Sequence, residues 1–81
     1  MLNKILNNSN VGELFAVNLN GGELQSDNIL YVEGELMLLL DCYEIHGNNK
    51  HYPRCRFLRL TVNGQAEWSN SDFLLNHLTR I

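Results

Sequence analysis

Two apolar runs flank the dipeptide Asn48-Asn49, and they constrain this chain more than any other feature. Residues 35–45 are rich in leucine, so a buried helix would suit them on propensity alone. The flanks decide for a strand. Gly34 stands before the run and Gly47-Asn48-Asn49 after it, and both are turn signals. Asp41, Tyr43 and Ile45 alternate with Cys42, Glu44 and His46, a period of two and not of about 3.6. Residues 54–62 make the returning strand. Counting outward from a two-residue turn at Asn48-Asn49, His46 faces His51, Ile45 faces Tyr52, Cys42 faces Cys55 and Asp41 faces Arg56. Continued without interruption, the same count sets Leu40 against Phe57, Leu39 against Leu58 and Met37 against Leu60. Apolar and opposite-charge pairs of this kind hold a register, and a slip of one residue would break them all.

The rest of the chain is read around this hairpin. Residues 13–19 form a strand with Phe15, Val17 and Leu19 on one side and Leu14 and Ala16 on the other. Asn20-Gly21-Gly22 then turns the chain into a second strand at residues 27–32, and Glu33-Gly34 makes the next tight turn. Asn63-Gly64 returns the chain as a short fifth strand at residues 65–68. Leu2, Ile5 and Leu6 have helical spacing, which predicts a short helix over residues 2–8. Ser69 can cap a C-terminal helix, Asp72 suits its first turn and Arg80 its last. Leu74, Leu75, Leu78 and Ile81 then share one face. The expected fold is a single α+β domain spanning residues 1–81. It comprises a curled antiparallel β-meander of about five strands, a C-terminal helix packed on one face and a short N-terminal helix.

Composition narrows the function classes. The 81 residues carry a net charge of −3, with 44% hydrophobic and 19% charged residues, which describes a globular chain and not a disordered one. The longest apolar run, residues 36–40, is far short of the roughly 18 residues a spanning helix needs. The first ten residues lack the pattern of a secretory signal, so a cytoplasmic protein with free Cys42 and Cys55 thiols and no membrane partner is expected. Asparagine is frequent, often where a turn or cap is wanted. AT-rich coding would account for the remainder and would suit a phage or mobile-element origin.

Four constellations bear on chemistry. Cys42, His46, His51 and Cys55 have the residue types of a Cys2His2 zinc site. In the hairpin register, however, the cysteine pair and the histidine pair stand about 13 Å apart along the strands, too far for one ion. No metal or other cofactor is therefore expected. A Cys42–Cys55 bridge is the other use of the thiols, but a cross-strand disulfide is strained and the cytosol is reducing. The second constellation is basic. Lys50, Arg54, Arg56 and Arg59 are interleaved with His51, Tyr52 and Phe57, and no carboxylate lies between His46 and Arg59. Such a stretch can track a phosphate backbone and stack bases, so nucleic-acid binding by the hairpin Lys50–Arg59 is the runner-up function. Against it, Arg54 and Arg56 fall on one face, Arg59 falls on the other, and Asp41 opposes Arg56.

Third, Glu44 and His46 share a strand face opposite His51, which offers a general base, but no nucleophile or phosphate-loop motif accompanies them. No enzyme activity is expected. Fourth, both faces of the hairpin are apolar. Met37, Leu39, Tyr43, Ile45, Tyr52, Leu58 and Leu60 are assigned to one face, and Leu36, Leu38, Leu40, Cys42 and Phe57 to the other. A chain this short has little with which to cover both. The leading expectation is a small non-catalytic protein-binding module, an adaptor or inhibitor of a larger protein or a homodimer. It would act through a sheet face or edge, with Tyr43, Tyr52, Arg54 and Arg56 as contacts and Lys50 and His51 beside them.

Overall fold

The computed structural model describes residues 5–26, 28–71 and 75–81. Strands dominate. Among the described residues the strands are β1 (Leu14–Val17), β2 (Gln25–Ser26), β3 (Ile29–Leu30), β4 (Leu36–Gly47), β5 (Lys50–Arg59), β6 (Gln65–Ser69) and β7 (Leu78–Arg80), preceded by a 3-10 turn at Asn8–Asn10. Five of the strands form one antiparallel sheet in the order β6-β5-β4-β1-β7, and β2 and β3 form a separate ribbon.

The β4–β5 hairpin is the spine of the sheet. Asn48 and Asn49 both take positive φ, 47° and 61°, as a two-residue turn matching the strand twist demands. Asparagine is one of the few side chains that tolerates that region. From the turn as far as Asp41 the pairs are those counted from the sequence: His46 with His51, Ile45 with Tyr52, Cys42 with Cys55 and Asp41 with Arg56. A bulge between Leu39 and Asp41 then shifts the register, so that Leu39 opposes Phe57, Leu38 opposes Leu58 and Met37 opposes Arg59. This corrects the pairs expected for Leu40, Leu39 and Met37. Leu40 is the residue without an opposite number, and it switches which alternate residues of β4 face inward. Odd-numbered Met37 and Leu39 are buried before the bulge, and even-numbered Cys42 faces inward after it.

The α+β expectation is corrected here to a mainly antiparallel β fold. No helix of seven or more residues forms among the described residues. Where a C-terminal helix was expected, residues 78–80 are β7, pairing Leu78 with Val17, Thr79 with Ala16 and Arg80 with Phe15. The Leu-Thr-Arg alternation fits a strand as well as a helix. Pairing satisfies the open edge of β1 and buries Leu78, which outweighs a marginal helix propensity. Asp72 and Leu74, invoked for that helix, lie outside the described residues. So do residues 2–4 of the N-terminal helix expected at residues 2–8; residues 5–7 are not helical and a 3-10 turn follows at Asn8–Asn10, capped by the Asn7 side chain.

Two turn assignments also change. Asn20 and Gly21 do make a tight turn, closed by the Gly22 amide on the Leu19 carbonyl at 3.0 Å. It does not return the chain along β1. Of the strand expected at residues 27–32, Asp27 lies outside the described residues and only Ile29–Leu30 is a strand, the far half of the β2–β3 ribbon, while β1 pairs with β4 and β7. Asn63-Gly64 is not a two-residue turn, since Leu58 pairs with Gln65 and the intervening residues loop out. Glu33-Gly34 turns as expected, with the Glu35 amide on the Val32 carbonyl at 3.0 Å.

The core lies on one side of the sheet. Phe15 and Val17 from β1, Met37 and Leu39 from β4, Cys55 and Phe57 from β5, and Ala66 and Trp68 from β6 form its floor. Leu6, Leu24, Tyr31 and Leu75 from the connecting segments close over it. Phe57 meets Phe15 and Trp68 edge-on, with ring centroids 6.0 and 5.9 Å apart. The buried indole N–H of Trp68 donates to the Tyr31 hydroxyl at 2.7 Å. Asn70 clasps the N-terminal segment: its Oδ1 accepts from the Leu6 amide at 3.0 Å and its Nδ2 donates to the Leu6 carbonyl at 2.7 Å.

Candidate functional site

The other side of the sheet is the first candidate site. Strand alternation sends the partners of the core residues outward, and register lines them up across strands. One row runs Leu14, Leu38, Leu58, Gln65. The next runs Thr79, Ala16, Leu36, and then Leu60, whose amide donates to the Leu36 carbonyl at 2.9 Å. Leu60 is 47% exposed and Leu14 38%. Leu36, Leu38 and Leu58 are half-buried, and the half-buried apolar residues packed on the core are Leu19, Ile29 and Cys42 instead. Among the described residues, every buried apolar side chain belongs to the cluster on the opposite side.

Toward the hairpin tip the outer face turns polar. Asp41, Arg56 and Glu67 form a row of alternating charge across β4, β5 and β6. Arg56 grips Asp41 with two hydrogen bonds, Nε to Oδ1 at 3.1 Å and Nη2 to Oδ2 at 2.6 Å. Beyond that row Tyr43 opposes Arg54 and Ile45 opposes Tyr52. Tyr43, Tyr52, Arg54 and Arg56 therefore share the outer face, joined to the leucine rows by the bulge. Lys50 sits at the exposed hairpin end opposite Gly47. His51 does not join them. It projects from the other face, in line with Cys55 and Phe57.

The basic stretch is divided. Arg59 belongs to the inner face, where it pairs with the buried Glu35 (Nε to Oε1 at 3.0 Å) and lies 5.1 Å from the centre of the Tyr31 ring. Two of its four cations, Arg56 and Arg59, thus already hold carboxylates on or beside β4. Sequence counting could not find the Glu35–Arg59 pair, because the bulge is what brings those two positions together.

The cysteines oppose one another with their sulfurs 3.9 Å apart, and both are free thiols. Burial pushes both thiols up from the usual value of 9.0, Cys55 most strongly, with the neighbouring Cys42 adding to the effect there. A thiol held protonated is a poor nucleophile, which counts against thiol catalysis. At the tip, where β4 and β5 extend past their neighbours, Glu44, His46 and His51 cluster on the inner-face side. The Glu44 Oε2 lies 3.1 Å from His51 Nδ1 and 3.7 Å from His46 Nε2, and all three side chains are well exposed. No family model, curated protein or solved structure matches this chain. No described helix is long and apolar enough to cross a membrane.

Proposed function

We propose that this chain is a small non-catalytic protein-binding module that docks through the outer face of its five-stranded sheet, with a second copy of itself as the partner. The supporting observation is the pair of leucine rows, Leu14-Leu38-Leu58 and Ala16-Leu36-Leu60, laid over a face that the described core does not use. Sheets with one such face bury it by packing on another layer, commonly a second sheet.

Self-pairing is favoured by the charges bordering the rows. An isologous interface needs a self-complementary patch. The row Asp41, Arg56, Glu67 alternates acid, base, acid, so a copy turned about a two-fold axis can set its Arg56 against a carboxylate of the first. Tyr43, Tyr52 and Arg54 extend the patch with residue types common at contact hot spots. A standard interface removes roughly 800 Å² from each partner, and the accessible surface here totals 5191 Å². The free thiols suit a reducing compartment such as the cytoplasm.

Sedimentation equilibrium tests the proposal. A dimer that Leu38→Glu converts to a folded monomer is the expected result. A wild-type chain that stays monomeric up to roughly 1 mM, the weak end of measurable affinity, overturns it.

A further inference from the structure

We infer that the tip of the β4–β5 hairpin is a zinc-type metal site made by Glu44, His46 and His51. The chemistry is two imidazole nitrogens and one carboxylate oxygen, a donor set that zinc accepts with a position left open. Strand geometry assembles it. Glu44 and His46, two residues apart, point to the same face, and His51 stands directly opposite His46. The two imidazole rings lie 4.2 Å apart between centroids.

The distances fit one ion. A tetrahedral zinc with ligands at about 2.0–2.1 Å holds its donor atoms about 3.3 Å from each other. Here the donor atoms all fall within 4.8 Å of one another, and Glu44 Oε2 stands 3.1 and 3.7 Å from the two histidine nitrogens. The remaining closure needs only side-chain rotation, because all three groups stand in solvent and no packing opposes it. The backbone beneath them is held by the Asn48-Asn49 turn and the pairing that continues to Cys42 and Cys55. Those cysteines are not part of the site. They stand four residues from the histidines along the two strands, about 13 Å away, too far to share one ion with them.

The test is a calorimetric titration of the full chain with zinc chloride, followed by NMR of the histidine rings. One zinc per chain is expected, with resonances of His46 and His51 shifting while those of His77, whose Nδ1 lies 2.9 Å from the Asn18 carbonyl, stay in place. His46→Ala and His51→Ala should each weaken binding at least about tenfold, the scale on which even outer-shell partners of a metal act, and Cys42→Ser/Cys55→Ser should leave it unchanged. Circular dichroism of the exposed-tip variants confirms that they are folded. Uptake that does not saturate below roughly 1 mM, or uptake that survives His46→Ala/His51→Ala, overturns the site.

Discussion

Arg59 and Glu35 form an ion pair at the inner end of the hairpin, with Glu35 only 2% exposed and the Arg59 side chain nearly as enclosed. A buried pair of this kind contributes little over a well-packed apolar pair, but breaking it leaves a charge without water or partner. Glu35→Ala and Arg59→Ala should each cost about 3–5 kcal/mol. The double replacement Glu35→Leu/Arg59→Met should recover most of that loss. Urea denaturation of the four proteins measures this, and single variants within about 1 kcal/mol of wild type would show that the pair is solvated.

The bulge at Leu40 makes the run Leu38-Leu39-Leu40 one residue longer than pairing requires. Deleting one of these leucines leaves a regular hairpin with Leu39 still against Phe57 and Asp41 still against Arg56. The shortened chain should fold at a cost below about 2 kcal/mol. Deleting Tyr43 should be far worse. Its loss is absorbed by the same spare residue, which carries Asp41 onto the inner face beside buried Cys55 and costs on the order of 3 kcal/mol or more. Thermal melts of the two deletions compare them directly. Equal melting temperatures would mean that the bulge does not set the facing.

The two thiols make stability fall in alkali. In the folded chain burial holds Cys42 and Cys55 protonated above the usual thiol value of 9.0. The unfolded chain releases those protons as pH passes that value, so above it the folded state binds more protons than the unfolded state. Stability contributed by the neutral thiols is therefore whole below pH 9.0 and declines as pH rises beyond it. Urea midpoints between pH 8 and 10.5 should fall in the wild type and much less in Cys42→Ala/Cys55→Ala. In the native wild-type protein Cys55 should resist a thiol reagent until denaturant is added.

Asn49 has a φ of 61°, in the left-handed region. Asn49→Val should cost about 1–2 kcal/mol, because a β-branched residue is strained there. Asn49→Gly should hold or raise the melting temperature. A neutral valine variant would mean that the turn rearranges at no cost.

Much of this molecule was legible in the sequence because its signals are local. The Asn48-Asn49 turn, the Glu33-Gly34 turn and the pairs from His46–His51 to Asp41–Arg56 follow from period two and turn chemistry alone. The bulge is invisible there, because Leu38, Leu39 and Leu40 are interchangeable and no local rule says which one is left over. The two apolar faces assigned from the sequence were therefore mixed across Leu40. In the fold Met37 and Leu39 join Cys42 and Phe57 in the core, and Leu36 and Leu38 join Tyr43, Tyr52 and Leu58 outside. The cluster at the tip is legible too, since period two and the register place Glu44, His46 and His51 together. The sequence suggests a general base there, and only the distances between the three donors bring one ion within reach.

The sequence by itself determined one antiparallel hairpin, its turn, its register near the tip and the existence of more apolar strand surface than a chain this short can cover. Tertiary structure decided the rest. It made residues 78–80 a strand on the open edge of β1, because unsatisfied edge amides reward pairing more than a short amphipathic run rewards a helix. It also chose which hairpin face is buried, because the connecting segments carrying Leu24, Tyr31 and Leu75 can close over only one side of a five-stranded sheet.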